Sequence, residues 1–263
     1  MSSRIPPKEG HLERLARRIV AEALGVEVTR YDDGSAPRQV DALIHLPSGS
    51  VPLEVVSDED PAFEQQWAEL GRRGHVIRTD LPSSWYVFLT NRGHVRELHA
   101  QLPRLLADWP WDGGADEYEL PAALEKLGVA DVVEAERIGA DDRGKIVLSH
   151  QGWNSWDDPV ELNEWVTRVL DRESDVAAKL ELHGGRERHV FIWARPGSAW
   201  AVNSLLADDD DDNNEPVHGP ALPAGITHVW VASTMTRRGC LVLENDRWRR
   251  TGWITIDPHA DED

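Results

Sequence analysis

Two short apolar runs in residues 40–56, "VDALIHLPSGSVPLEVV", are joined by the turn signal Pro-Ser-Gly at 47–49, so this segment predicts a β-hairpin. Each arm carries one carboxylate, Asp41 at the start of the first and Glu54 near the end of the second. Because strand side chains alternate between faces, we expect the two carboxylates to approach each other across the paired arms. Carboxylates held that close repel unless a cation lies between them, and Mg²⁺ or Mn²⁺ accepts oxygen ligands of this kind. The hairpin therefore predicts a metal site.

A regular succession of elements surrounds the hairpin. Apolar residues spaced three and four apart predict an amphipathic helix over residues 10–25, and the β-type segment "VEVTRY" follows it. After the hairpin, the segment 61–73 begins with proline and predicts a second helix, and "WYVFLT" at 85–90 predicts a buried strand. The predicted order from residue 10 to residue 90 is therefore α-β-β-β-α-β.

This order and the acidic hairpin resemble the PD-(D/E)XK superfamily, the restriction-endonuclease-like nucleases. The resemblance implies an α/β fold, with a restriction-endonuclease-like core in which a central mixed β-sheet is flanked by helices, plus an inserted or appended α+β region. It implies that Asp41 and Glu54 bind the metal and that the backbone carbonyl of Val55 completes the metal shell. The family's first helix often adds a glutamate, for which we favour Glu22 over Glu13 because Glu22 borders the apolar side of the helix.

The sequence departs from the family motif at Val56, which stands where the family has a lysine. A valine side chain neither orients an attacking water nor stabilises charge on a phosphate. Some members of the superfamily carry this lysine on a nearby helix. Lys179 is our substitute, because it lies near the end of a long helix predicted over about 159–182 that leads into a buried strand. Gln65 and Gln66 on the second predicted helix are alternative polar supports, and Gln66 is the alternative replacement for the lysine.

Non-catalytic interpretations of the same residues stay open. An Asp and a Glu on edge strands are often solvated charges that discourage edge-to-edge pairing of sheets. Asp175 and Lys179, four residues apart on a helix, also fit a surface ion pair. The distance between Lys179 and Glu54 decides between these interpretations, and the sequence does not give it.

Composition bounds the remaining function classes. The net charge of −19 argues against a general nucleic-acid coat protein, because phosphate binding depends mainly on Lys and Arg, and most of the acidity lies beyond residue 110. No run of 18 apolar residues is present and the first residues lack the apolar segment of a signal peptide, so we expect a cytoplasmic protein without membrane segments. Cys240 is the single cysteine, which excludes an internal disulfide.

We expect three regions along the chain. Residues 1–110 are predicted to form the nuclease-like N-terminal core, and residues 111–157 an acidic insertion or linker. Residues 158–263 are predicted to form a second α/β part, either separate from the sheet of the N-terminal core or completing it. The acidic stretches at 207–219 and 257–263 are predicted to be a disordered loop and an acidic tail.

The sequence leaves two main functions open. The first is a Mg²⁺-dependent endonuclease that hydrolyses phosphodiester bonds in DNA, in defence or DNA processing, with Asp41, Glu54, Glu22 and Lys179 as catalytic residues. The alternative, which Val56 favours, is a catalytically inactive nuclease-fold protein that acts as a protein-binding or regulatory module through its acidic, tryptophan-rich later half. An unrelated α/β enzyme is a third hypothesis. The chain has 12 tryptophans, of which four lie in polar segments and are candidates for contacts with unpaired bases or a protein: Trp109, Trp111, Trp153 and Trp156.

Overall fold

The computed structural model describes residues 9–32, 34, 38–90, 93–107, 120–134, 143–150, 160–207, 217–236 and 240–251. The chain divides into two compact units. The first unit combines residues 1–58 with residues 155–263, and the second consists of residues 59–154.

The described residues form seven helices and eleven strands. The helices are α1 (His11–Leu24), α2 (Pro61–Arg73), α3 (Val95–Ala107), α4 (Ala122–Lys126), α5 (Val160–Arg172), α6 (Val176–His183) and α7 (Trp200–Ala207). The strands are β1 (Val28–Arg30), β2 (Ala42–Leu46), β3 (Gly49–Ser57), β4 (Val76–Arg78), β5 (Trp85–Leu89), β6 (Val129–Glu134), β7 (Lys145–His150), β8 (His189–Ala194), β9 (His228–Ser233), β10 (Cys240–Glu244) and β11 (Arg247–Arg250).

The first unit contains a seven-stranded mixed sheet in the order β1-β2-β3-β8-β9-β10-β11. The first three strands form an antiparallel meander, β3 pairs in parallel with β8, and β8 pairs in parallel with β9. Strands β10 and β11 continue the sheet in antiparallel pairing. Parallel neighbours require crossover connections, which here contain α6 before β8 and α7 before β9. The predicted α/β class with a mixed sheet is confirmed.

Helices cover both faces of this sheet, because alternate strand residues point to opposite sides. Phe191 and Trp193 on β8 pack in one buried cluster with α1. Val190 and Ile192 on the same strand pack in a second buried cluster with α5, α6 and α7. In β3, Val55 packs against the α1 cluster and Val56 against the other. The side chain of Glu54 shares a face with that of Val56 and therefore points towards the layer of α5, α6 and α7.

Local signals explain the bounds of α1. Leu15 and Ile19 are buried on its apolar face. The Glu13 carboxylate accepts a hydrogen bond from the backbone N–H of Gly10 at 3.0 Å, so it partners a donor at the helix start. The helix ends at Gly25, whose φ of 64° is the left-handed conformation that glycine adopts without a Cβ clash.

The long helix predicted over 159–182 is wrong in one respect, because the structure divides it. α5 ends at Arg172 and α6 begins at Val176, with Asp175 as the residue before the first turn of α6. The backbone N–H of Lys179 bonds to the carbonyl of Asp175 at 3.0 Å. An amphipathic pattern that keeps its period on both sides of a short turn does not reveal the break.

The second unit contains a four-stranded sheet in the order β4-β7-β5-β6, with α2, α3 and α4. Asp60 caps α2 by accepting hydrogen bonds from the N–H groups of Ala62 and Phe63, and Pro61 occupies the first turn. Leu70, Val87 and other apolar residues form the buried cluster of this unit.

The prediction that residues 10–90 form one α-β-β-β-α-β core is wrong for its last two elements. Strand β5 pairs with β6 and β7 in the second sheet, and α2 belongs to the same second unit. A buried apolar strand pattern identifies a strand but does not specify its sheet. The predicted region 1–110 is therefore divided between the two units, whereas residues from the range 158–263 supply β8 to β11 to the same sheet as β1, β2 and β3.

Several predictions lie outside the described residues. These are the tail at 257–263, most of the loop at 207–219, and much of the region 111–157, together with the four tryptophans in polar segments. Within the described ranges, each helix is too short or too polar to cross a lipid bilayer. Cys240 is buried in β10, and burial raises the pKa of its thiol to about 12.

Candidate functional site

The two carboxylates of the hairpin lie opposite each other. Ala42 pairs with Leu53 in the antiparallel register of β2 and β3, so the next pair outward is Asp41 and Glu54. Directly opposed residues in an antiparallel pair present their side chains on the same face. The Asp41 carboxylate also accepts a hydrogen bond at 2.7 Å from the backbone N–H of Val55. This bond fixes Asp41 beside the backbone that follows Glu54.

Glu54 is almost completely buried, with 4% of its surface exposed. Its Oε1 accepts a hydrogen bond from the Lys179 Nζ at 2.7 Å. Its Oε2 is buried and makes no well-formed hydrogen bond to the residues that the structure describes, although the backbone N–H of Asp41 is close enough to oppose the rise in the pKa of Glu54. A buried charged oxygen without a partner is costly, because the protein does not replace the water that it loses on folding. Glu54 is therefore a half-satisfied carboxylate, by which we mean that only one of its two oxygens has a well-formed hydrogen bond to the described residues.

The pKa values of both acids are raised. Burial and, to a smaller extent, the negative charge of Glu54 raise the pKa of Asp41 to about 7, against the opposing hydrogen bond from the Val55 N–H. Burial also raises the pKa of Glu54, against the opposing hydrogen bond and positive charge of Lys179. The pair therefore holds less negative charge at neutral pH than two ordinary carboxylates, and a cation between the acids would oppose both shifts.

Lys179 reaches the acidic pair from α6. Burial tends to lower the pKa of Lys179, but the hydrogen bonds and negative charges of Glu54 and Asp175 together outweigh burial, so the pKa is raised and the side chain is charged. Its Nζ also lies 3.3 Å from the Asp175 carboxylate, one helical turn before it. Lys179, which the sequence suggested as the substitute for a lysine at Val56, thus contacts the Glu54 carboxylate from the neighbouring helix.

Of the two glutamates considered on the first helix, Glu13 is the one whose charge acts on Asp41, so the structure favours Glu13 over Glu22 for a role that stays a prediction. The negative charge of Glu13 contributes to the raised pKa of Asp41, whereas Glu22 is exposed to solvent. The two glutamates are nine residues apart, which is about two and a half helical turns, so they lie on opposite sides of α1. The position of Glu22 beside the apolar face of the helix did not show which side of α1 approaches Asp41.

Gln66 is engaged elsewhere. Its Nε2 donates to the carbonyls of Thr90 at 3.0 Å and of Gly93 at 2.9 Å, within the second unit. Both hydrogens of the amide nitrogen are therefore used to hold the segment between β5 and α3. Gln66 does not offer a donor to replace the motif lysine.

A second buried acid, Asp58, was missed in the sequence. It follows β3 directly, and its Oδ2 accepts hydrogen bonds from the Trp165 Nε1 at 2.6 Å and from the Ser198 Oγ at 2.7 Å. Its Oδ1 accepts from Arg172 at 2.9 Å. These donors come from α5 and from the segment before α7, so Asp58 connects them to the end of β3. The signal that identifies it is a carboxylate at the carboxyl end of a buried strand.

A third cluster in the described ranges consists of residue types that bind metals, but one of its histidines carries its proton on the nitrogen that would bind the metal. Ligand atoms of Glu187, His189 and His228 lie within 4.8 Å of one another. The Nδ1 of His189 accepts a hydrogen bond from the Trp230 Nε1 at 3.0 Å, and burial lowers the pKa of His189 to about 3. The neutral ring therefore carries its proton on Nε2, the atom 3.5 Å from the Glu187 carboxylate.

The ring geometry of this cluster also opposes metal binding. The imidazoles of His189 and His228 are stacked, with centroids 4.2 Å apart and planes 12° apart. The lone pairs of stacked rings run nearly parallel and do not converge on one ion. A protonated Nε2 has no lone pair to donate. The stacked rings and the protonated Nε2 therefore both count against this cluster as a metal site.

Comparison of the chain with protein-family models, with curated proteins and with solved structures gives no match. The chemistry of the carboxylate pair therefore has to be inferred from its own geometry.

Proposed function

We propose that this chain is a divalent-metal-dependent nuclease of the PD-(D/E)XK type that hydrolyses phosphodiester bonds in DNA. Asp41 and Glu54 would hold Mg²⁺ or Mn²⁺ with the backbone carbonyl of Val55. Lys179 would take the place of the motif lysine. The observation that carries the proposal is the half-satisfied Glu54, with one oxygen on Lys179 and the other buried without a partner.

The donor set suits a hard divalent cation. Carboxylate and carbonyl oxygens are the ligands that Mg²⁺ takes from proteins, usually with waters and substrate phosphates in the remaining positions. The unpartnered Oε2 of Glu54 supplies an oxygen whose burial cost a cation would offset. A bound ion at this position would polarise a phosphodiester and lower the pKa of a water that attacks it.

The chain's own residues supply the remaining functions. Lys179 is held in place by Glu54 and Asp175, so its ammonium group stays near the acidic pair. There it orients a water and neutralises charge that develops on a phosphate, which Val56 does not do. The hydrogen bond from the Val55 N–H keeps the Asp41 carboxylate turned towards the same point. These fixed charges need little rearrangement when a substrate binds.

The topology also supports the proposal. The helix α1, the meander β1-β2-β3, the helices α5 and α6 and the parallel strand β8 follow one another in the first unit, with residues 59–154 inserted after β3. This order corresponds to α-β-β-β-α-β when α5 and α6 are counted as one divided helical segment. We propose these elements as the counterpart of the restriction-endonuclease-like core. A role in defence or DNA processing rests on that fold analogy alone.

The test is a titration of plasmid and single-stranded DNA cleavage with Mg²⁺ and Mn²⁺, beside calorimetric metal binding. The variants Glu54→Gln and Lys179→Met are expected to lower the cleavage rate by about 100-fold or more, because each removes a group that acts in the transition state. Glu54→Gln is also expected to abolish metal binding. Lys126→Met, which changes a lysine on helix α4 of the second unit, is the matched control and keeps the rate.

Wild-type protein that neither binds metal nor cleaves DNA would overturn the proposal. The alternative of an inactive nuclease-fold module that binds another protein would then be the better explanation. Cleavage that persists in Glu54→Gln would assign the activity to residues outside this site.

A further inference from the structure

A tyrosine continues the row of acidic residues across the sheet. Arg30 pairs with Ala42 in the antiparallel register of β1 and β2, so Tyr31 is opposite Asp41. The backbone N–H of Tyr31 donates to the Asp41 carbonyl at 2.9 Å, which extends this pairing by one residue. Opposed residues share a face and have Cβ atoms about 5 Å apart. Tyr31, Asp41 and Glu54 therefore form one row on the face that α6 covers.

A histidine on α6 meets this tyrosine. His183 lies four residues after Lys179, so the two side chains occupy the same face of α6 one turn apart. The rings of His183 and Tyr31 contact each other edge to face, with centroids 5.4 Å apart and an angle of 84° between their planes. Tyr31 thus extends the row of the two acids on the sheet, and His183 extends the position of Lys179 on α6.

The pair lies at the accessible side of the row. β1 is the first strand in the sheet order, so Tyr31 follows an edge strand. Tyr31 is 41% exposed and His183 is exposed as well. A ring pair in edge-to-face contact covers at most one of its four ring faces, so flat aromatic surface remains for a ligand beside the carboxylates.

We propose that Tyr31 and His183 stack on an unpaired base next to the scissile phosphate, so that the substrate is single-stranded DNA or a strand with unpaired bases at the cleavage position. This inference rests on the proposed nuclease function. Aromatic side chains bind single strands by stacking, and a base inside a duplex has both faces covered by its neighbours.

The net charge of the chain explains why stacking by Tyr31 and His183, here called the stacking platform, would contribute to binding. A net charge of −19 leaves little general attraction for a phosphate backbone. Stacking on a base does not depend on that attraction, and it positions the strand with its phosphate towards Lys179. The aromatic pair therefore supplies affinity that the acidic protein lacks elsewhere.

The experiment separates binding from cleavage. Binding is measured by fluorescence anisotropy of a labelled thymidine 20-mer and of a labelled, fully paired duplex of the same length, in an Asp41→Asn background that under the proposed function does not cut. We expect the single strand to bind about tenfold or more tightly than the duplex. Tyr31→Ala removes most of that preference, whereas Tyr31→Phe, which retains the ring, preserves it.

Two further measurements make the result decisive. Val217→Ala, at an exposed apolar residue outside the row, is the control and leaves both affinities unchanged. In the Asp41-containing protein, Tyr31→Ala raises KM for single-stranded DNA about tenfold and changes kcat little. A residue that only stabilised β1 against α6 would instead affect single-stranded and duplex DNA equally.

The outcomes distinguish the two proposals. Equal binding of single strand and duplex, or an unchanged preference in Tyr31→Ala, overturns the stacking platform while metal-dependent cleavage that needs Glu54 keeps the nuclease. Ring-dependent binding of the single strand without any metal-dependent cleavage by the wild type overturns the nuclease and keeps the platform as a binding site.

Discussion

Glu54 and Asp58 are four residues apart at the end of β3, and both are buried acids, but the protein satisfies them differently. The oxygens of Asp58 accept hydrogen bonds from Trp165, Ser198 and Arg172. Glu54 has one bond from Lys179, and its other oxygen has no well-formed bond within the described part of the chain.

The difference separates an acid whose oxygens are all bonded by protein donors from one that keeps an oxygen available for a ligand. A buried carboxylate whose oxygens are occupied by protein donors stabilises the fold and has no capacity left for a ligand. A buried carboxylate with an unoccupied oxygen lowers stability unless a ligand uses that oxygen. Within one strand, burial alone therefore does not identify a site, whereas the count of hydrogen-bond partners does.

The largest expected difference concerns removal of each acid. Asp58→Ala leaves the Trp165 N–H and the Ser198 hydroxyl buried without an acceptor and is expected to lower the free energy of unfolding by about 3 kcal/mol. Glu54→Gln removes a poorly solvated charge and is expected to change it by less than about 1 kcal/mol. Urea denaturation in EDTA measures both. An equal loss of stability in the two variants would contradict the distinction.

The next difference concerns the cationic partners. Lys179→Met leaves the Glu54 carboxylate without its hydrogen-bond donor and is expected to cost about 2 kcal/mol at pH 8. Arg172→Met costs about 1 kcal/mol, because Arg172 is partly exposed and Asp58 keeps its other two donors.

The pH dependence of these costs provides the control. Burial raises the pKa of Glu54, so in Lys179→Met this carboxyl takes up a proton more readily than an ordinary glutamate as the pH falls from 8 to 5, and its neutral form no longer needs a cation. The cost of Lys179→Met should therefore shrink between pH 8 and pH 5. A cost that stays constant over this range would show that Lys179 acts through packing rather than through the charge of Glu54.

A smaller effect is expected from the titration of Asp41 in metal-free protein. Its pKa is 3.8 in an ordinary environment and about 7 in the folded chain. Between these values the folded state holds a proton that the unfolded state has released, so rising pH favours unfolding. The free energy of unfolding should fall by about 1 to 2 kcal/mol from pH 5 to pH 8, after allowance for solvent screening.

Asp41→Asn removes this component, so its stability should vary less over the same range. Asp175→Asn, at an exposed acid of the same neighbourhood, is the matched control and should keep the wild-type slope. Urea denaturation at several pH values gives the slopes. If the free energy of unfolding of the wild type changed between pH 5 and pH 8 in the same way as that of Asp41→Asn, a raised pKa for Asp41 would be excluded.

The sequence predicts the part of the site that local rules determine. The turn signal and the alternation of strand side chains are sufficient to predict a hairpin with one carboxylate on each arm. The turn consists of Pro47 and Ser48 alone, with Gly49 already paired to Leu46, and this register places Asp41 opposite Glu54. A three-residue turn at 47–49 would have placed Asp41 opposite Val55 instead. The order of helix and strand was sufficient to nominate Lys179, although its 2.7 Å contact with Glu54 spans 125 residues and no local rule gives that distance. The catalytic roles of these residues stay predictions.

Long-range choices account for the errors. The pattern of β5 is that of any buried strand, so it did not reveal that β5 pairs with β6 and β7 rather than with β3. Glu22 and Glu13 fit the helix pattern equally well, and only the tertiary position of α1 distinguishes them. Asp58 has no motif, because its donors are far from it in sequence.

Residues 59–154 lie between β3 and β8 along the chain, and this insertion also affects how the chain folds. β3 pairs with β8, and the contact of Asp58 with Trp165 joins residues 107 positions apart on either side of the inserted unit. Contacts between such distant residues form slowly, because a long loop has to close before they contribute any stability. Asp41 and Glu54 lie on one local hairpin, whereas Lys179 arrives only when β8 joins β3. A partly folded chain can therefore hold the two acids together before it gains the lysine, and the complete site forms only with the closed sheet.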